Sequence, residues 1–150
     1  MIEQLAPPLA DLYEQDETAW LDAMARLVAE RRWEEVDAEN LSEFLTDMAR
    51  RDRREAKSRL TILLAHLLKW QYQPAKRTGS WKATILVQHR EVTADAESGV
   101  IRNHIEEVLA AAYADAKKEA AAETGLRITE LPTDSPYSLD QLLSDDFFTE

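Results

Sequence analysis

LTILLAHLLKWQY, residues 60–72, decides how this chain folds. Wound at 3.6 residues per turn, Leu60, Leu63, Leu64, Leu67 and Leu68 cover one wide face, and Ile62, His66 and Trp70 carry the apolar surface around most of the rest. A helix with so little polar circumference has to be surrounded by other elements, so the stretch predicts the central helix of a bundle. Its apolar run, Leu60 to Leu68, is too short for a bilayer, which takes about 20 residues, and is interrupted by Thr61 and His66.

Downstream, Pro74 and Gly79 punctuate a loop, and Ser80 is placed to cap a helix with Trp81, Ile85, His89 and Val92 on one stripe. Ser98 caps the next, whose stripe of Ile101, Ile105, Val108, Leu109, Ala112, Tyr113 and Ala116 runs on to a stop at Gly125. Upstream, Asp16 caps a first helix of about residues 16–32 carrying Trp20, Met24, Leu27, Val28 and Arg31, behind a loose arm over residues 1–15 with Pro7 and Pro8. Asn40 to Glu43 has capping-box spacing, with Asp37 as a rival cap, for a second helix striped by Leu41, Phe44, Leu45 and Met48. ARRDRREAKSR, residues 49–59, is polar almost all round; it either continues that helix as an exposed connector or turns a corner, and a bend is expected near Arg51–Arg53. Residues 126–150 read as a loop and a short acidic C-terminal helix, started by a capping box at Ser138 to Gln141. No β alternation competes. The expectation is an all-α, single-domain helical bundle of about five helices with a short C-terminal helix over residues 1–150.

Composition agrees. A chain of 150 residues, 45% hydrophobic and 31% charged, with three glycines and five prolines, is the size of one domain and has the makeup of a folded one. It has no cysteine, which removes disulfides, thiolate nucleophiles and thiolate-held metals and makes a reducing cytoplasm the simplest home. The N-terminus lacks a basic segment followed by an apolar one, so no secretory signal is read there, and no membrane partner is expected. The net charge of −11 conceals a pattern. Residues 1–48 hold thirteen acids and three bases, 49–90 two acids and eleven bases, and 91–150 fourteen acids and four bases. The basic middle is either neutralised within the fold or left open to an acidic partner.

HLLKWQYQP at residues 66–74, followed by Ser80 and Trp81, resembles a bacterial family catalogued as domain of unknown function 29. The likeness extends to YEQD at 13–16 with Trp20, ENLSE at 39–43, Tyr113 with Asp115 and Ala116 beyond it, AAETGL at 121–126 and PYSLDQLL at 136–143, and so covers nearly the whole chain. Where the family often has a glycine near the end of the second helix, this chain reads DMARRDRRE at 47–55. The resemblance implies an all-helical domain and carries no activity with it.

His66, between leucine pairs, reads as a neutral core residue with a hydrogen-bonded ring nitrogen, because an unpaired buried nitrogen costs about 1–3 kcal/mol. Glu39 and Glu43 are its expected partners. Three histidines, His66, His89 and His104, on three helices are candidate ligands for one metal, with Glu39, Glu43 or Glu107 in a fourth position, although no local metal signature supports them. No phosphate-cradling glycine loop or nucleophile elbow occurs, and neighbouring carboxylates such as Glu106 and Glu107 diverge on a helix. Lys69, Trp70, Tyr72, Lys76, Arg77, Trp81 and Lys82 interleave cations with aromatic rings and are the candidate partner-binding residues. They suit a protein partner, or the weak stacking and phosphate contacts of a nucleic-acid binder through residues 69–82. The acidic tail, with Leu139, Leu142, Leu143, Phe147 and Phe148, either folds back over the basic middle or docks a basic partner. The reading that collects these features is a non-enzymatic interaction module, antitoxin- or adaptor-like, that needs no cofactor and binds a protein partner or forms a homo-oligomer. Its alternatives are a metal-assisted enzyme built on the three histidines and the nucleic-acid binder.

Overall fold

The computed structural model describes residues 8–148. Among them there are six α-helices and no strand: α1 (Leu9–Gln15), α2 (Glu17–Ala29), α3 (Ala38–Tyr72), α4 (Gly79–Asp95), α5 (Gly99–Thr124) and α6 (Leu139–Leu143). The chain is all-α, with five longer helices and a short C-terminal one. It divides into two compact units, Met1–Arg50 and Arg51–Glu150.

The first unit has a small core of Trp20, Met24 and Leu27, against which Leu9, Leu12, Tyr13, Val36, Leu41 and Phe44 pack. Part of the expected loose arm is thus a helix. Leu9, Leu12 and Tyr13 share one face of α1 at helical spacing, and the Tyr13 ring meets Trp20 edge-on at 4.7 Å. Residues 1–7 of that arm lie outside the described residues. Asp16 caps α2 by accepting from the Ala19 amide at 3.1 Å. α2 closes at Ala29 rather than near residue 32, because Arg31 enters the left-handed region at φ 58° and turns the chain. Between the two candidate caps of the next helix, Asp37 takes the role. One of its oxygens accepts from the Asn40 amide at 3.4 Å and the other from the Trp20 indole at 3.1 Å.

The expected bend near Arg51–Arg53 is absent: α3 runs unbroken from Ala38 to Tyr72. No glycine or proline interrupts it, and ion pairs along the helix, Arg51 to Glu55 at 3.2 Å and Arg59 to Glu55 at 3.7 Å, suit a helical exposed stretch. The helix ends just before Pro74, as the restricted residue preceding a proline requires.

In the second unit the 60–72 stretch is central, as its circumference demands. Leu60, Leu63, Leu64, Leu67 and Leu68 are all buried, with Ile85 and Val92 of α4 and Ile105, Ala112, Tyr113 and Ala116 of α5 in the same cluster. The alanines on α5 leave little side-chain bulk between it and its neighbours. α4 is capped two residues earlier than Ser80 would allow: Thr78 is extended and its hydroxyl accepts from the Trp81 amide at 3.1 Å. Ser98 caps α5, and α5 stops at Gly125, whose φ of 78° suits a residue without a Cβ. Ser138 and Gln141 form the expected capping box of α6.

The acidic C-terminal segment is folded onto its own unit. The Tyr113 hydroxyl donates to the Pro132 carbonyl at 2.6 Å, Tyr137 to Gln71 at 2.6 Å, and Arg102 pairs with Asp140 at 2.8 Å. Leu139 and Leu142 are buried in the cluster. Among the described residues no helix is long and apolar enough to cross a membrane.

Candidate functional site

The end of α3, the start of α4, the end of α5 and the end of the tail meet at the segment that carries the interleaved cations and rings. Lys69 lies on the last turn of α3, where the apolar circumference of residues 60–72 forces it inward, and its side chain is 3% exposed. A buried ammonium needs a partner. Lys69 Nζ has three: the Glu123 carboxylate from α5, His66 Nε2 at 3.3 Å from its own helix, and the Trp81 ring of α4, whose centroid lies 5.0 Å away.

His66 is therefore held as expected, in a neutral form with bonded nitrogens, but by other partners. Nδ1 donates to the Ile62 carbonyl at 2.9 Å, which leaves Nε2 bare to accept from Lys69. Burial, then the neighbouring ammonium, push its pKa below the usual histidine range against the pull of the Ile62 carbonyl, Glu123 and Glu119. Glu39 and Glu43 are not its partners. The two helices expected around it are one, so both carboxylates stand on His66's own helix, far beyond the three- or four-residue reach of same-helix neighbours.

The remaining residues of the segment are arranged around this ion pair. The Arg77 guanidinium lies over the Trp70 ring at 4.7 Å and donates from Nε to the Trp70 carbonyl at 2.8 Å, while Phe148 meets the same ring edge-on at 5.2 Å. Tyr72 packs against the core, and Trp81 and Lys82 are half-buried on α4. Lys76 and Arg77 are the exposed members. Trp70 thus has a cation over its ring and a second ring edge-on to it, both from its own chain.

The three histidines are not brought together. His89 donates from Nε2 to the Ser144 carbonyl, 3.1 Å away, and its ring stacks on Phe147 at 3.7 Å between centroids. Burial lowers its pKa, only partly opposed by the Ser144 carbonyl and Asp145. His104 is half-buried on α5. Among the described residues no group of three or more histidine or carboxylate side chains is placed to hold a metal ion.

Clefts open along the helices of the second unit. One, of about 440 Å³, is walled by Arg54, Lys57, Asp115, Lys118 and Glu119, with Lys57 3.7 Å from Asp115. Another, of about 340 Å³, lies between α5 and residues 133–137 over Tyr113, whose hydroxyl pKa is pushed up to about 12, first by burial. No histidine lines either, so neither sets a nucleophile beside a base of that kind.

What the sequence reading missed is apolar. Leu45 and Met48 belong to the stripe expected to be core, yet Leu45 is 57% exposed and Met48 is exposed beside it, one turn on. On α4, Leu86 is 49% exposed and Val87 lies open next to it. The signal was present: α4 carries a second run of small and apolar residues, Ala83, Leu86, Val87 and Ala94, beside the one that reads as core.

A family model described as Domain of unknown function DUF29 matches residues 12–148. No curated protein and no solved structure matches the chain.

Proposed function

The chain belongs to the family described as Domain of unknown function DUF29, and on that premise we propose that it is a non-enzymatic helical interaction module. It works in a reducing cytoplasm and binds a protein partner or a second copy of itself, as an antitoxin or adaptor does. One observation carries the reading: apolar side chains stand uncovered in adjoining pairs on helix faces, Leu45 with Met48 on α3 and Leu86 with Val87 on α4. Single exposed apolar residues are ordinary on a protein surface, but Leu45 with Met48 at i, i+3, and Leu86 and Val87 at i+3 and i+4 from the exposed Ala83, form strips that a partner helix covers. The groups with the most chemical potential point the same way. Lys69, His66 and His89 are each engaged by their own chain, in contacts that hold helices together.

Affinity purification of the tagged chain from its own cells tests the reading, with the wild type run beside a variant carrying Leu45→Ser, Met48→Ser, Leu86→Ser and Val87→Ser. The module retains a stoichiometric protein or an untagged copy of itself, and the variant loses it while keeping its helical circular dichroism. A wild type that emerges alone, or a variant that keeps the same companion, contradicts the reading.

A further inference from the structure

We infer that the exposed face of α4 is the surface through which two copies of this chain pair, antiparallel and about a two-fold axis. The inference rests on the interaction-module reading and names the partner. α4 buries Ile85 and Val92 on one side. On the other side Ala83, Leu86, Val87, Arg90 and Ala94 recur at i, i+3, i+4, i+7 and i+11, and all five are exposed. A helix with an apolar stripe on each side has one stripe more than its own unit covers.

The charges on that face select the occupant. The stripe carries one charge, Arg90, and the acid nearest to it is Glu91, whose carboxylate lies 3.8 Å from Arg90 Nε. When two α4 helices run antiparallel about a point between residues 90 and 91, each Arg90 faces the Glu91 of the second copy, and each Val87 faces an Ala94. Every contact then occurs twice, as an isologous interface requires. Ala94 keeps the helix surface thin near the two-fold axis, and Leu86 flanks the seam. An acidic partner would leave Glu91 repelled, and a basic one would leave Arg90 repelled; a second copy satisfies both. One helix face lies at the small end of interface sizes, so the pairing is weak and concentration-dependent. With a net charge of −11 on each chain, screening of the mutual repulsion makes the pairing tighter as salt is added.

Sedimentation velocity of the full chain, from dilute to concentrated and at low and high salt, reads this directly. The wild type shifts from monomer to dimer with concentration, and more readily at high salt. Val87→Glu raises the dissociation constant on the order of tenfold or more, whereas Val100→Glu, at a more open apolar position on α5, leaves it unchanged. Arg90→Glu weakens the dimer and the exchanged pair Arg90→Glu with Glu91→Arg recovers it. A chain that stays monomeric throughout overturns the inference, as does a dimer indifferent to Val87→Glu. Monomer together with a retained foreign protein in the affinity purification removes only the second copy as partner; monomer with nothing retained removes the module reading as well.

Discussion

Lys69 is 3% exposed and its ion-pair partner Glu123 is 58% exposed, so one charge of the pair is inside the protein and the other is at the water. The two ends of the pair should therefore respond differently to removal. Glu123→Gln leaves a buried ammonium with no countercharge, only neutral partners, and the expected loss is about 2–3 kcal/mol, below that of a fully buried pair because water already reaches the carboxylate. Lys69→Met removes the buried charge and keeps the length of the side chain; Glu123 turns to solvent and the cost stays within about 1 kcal/mol, mostly the hydrogen bond lost at His66 Nε2. Urea unfolding of the two variants checks the order. Equal losses would mean that the ammonium is not buried as described.

Two histidines have pKa values held down in the folded chain, His66 and His89, in both cases first by burial. In the unfolded chain both titrate near 6.5. Just below that pH the unfolded state binds protons that the folded state refuses, so stability is full above about pH 6.5 and falls as the pH drops through the window toward the folded values. For His66 the loss has a visible cause: a proton on Nε2 would face the Lys69 ammonium, with Glu123 and Glu119 as the nearby compensating carboxylates. Thermal melts from pH 7.5 to 5.5 should show a declining midpoint, and His66→Gln with His89→Gln should flatten the decline. A midpoint that rises on acidification through this window contradicts the assignment.

Truncation after Pro132 should unfold or severely loosen the second unit. It removes Leu139 and Leu142, each buried and stabilising by roughly 1.5–3 kcal/mol, and strips Phe147 and Phe148 from His89 and Trp70. A loss above about 3 kcal/mol in denaturant unfolding is expected. A truncated chain as stable as the whole would mean that the tail is a free docking segment.

Asp37 serves two elements, as cap of α3 and as acceptor for the Trp20 indole in the first unit's core. Burial raises its pKa, but the hydrogen bonds from Asn40 and Trp20 outweigh it, and the carboxyl titrates below its ordinary value. Asp37→Ala should cost about 1–3 kcal/mol from the lost cap and the unpaired indole. Intrinsic Trp fluorescence followed through urea measures it, and a variant within a few tenths of the wild type removes the dual role.

Much of the fold was legible because caps and circumference are local. Asp16, Ser98, Gly125 and Ser138 announced their helix ends, and residues 60–72 announced the centre. The expected bend in α3 failed for a physical reason: a polar stretch without glycine or proline has nothing to break it, and Glu55 between Arg51 and Arg59 gives it supporting ion pairs. Thr78 displaced Ser80 because the extended backbone of a cap depends on the loop before it. The site was less legible. Lys69 read as one surface cation among several, since only the packing of α4 and α5 around it reveals that it is buried. Leu45 and Met48 read as core because spacing shows which residues share a face and never whether another helix covers that face.

Site-specific photo-cross-linking in living cells puts the central claim at most direct risk. A photoreactive phenylalanine replaces Leu45 or Leu86 on the open apolar faces, or Lys76 in the basic and aromatic segment, and ultraviolet adducts are resolved on a gel. The account predicts protein adducts from positions 45 and 86, with a self-adduct at 86, and none from 76. Adducts from 76 with none from 45 or 86 would contradict it.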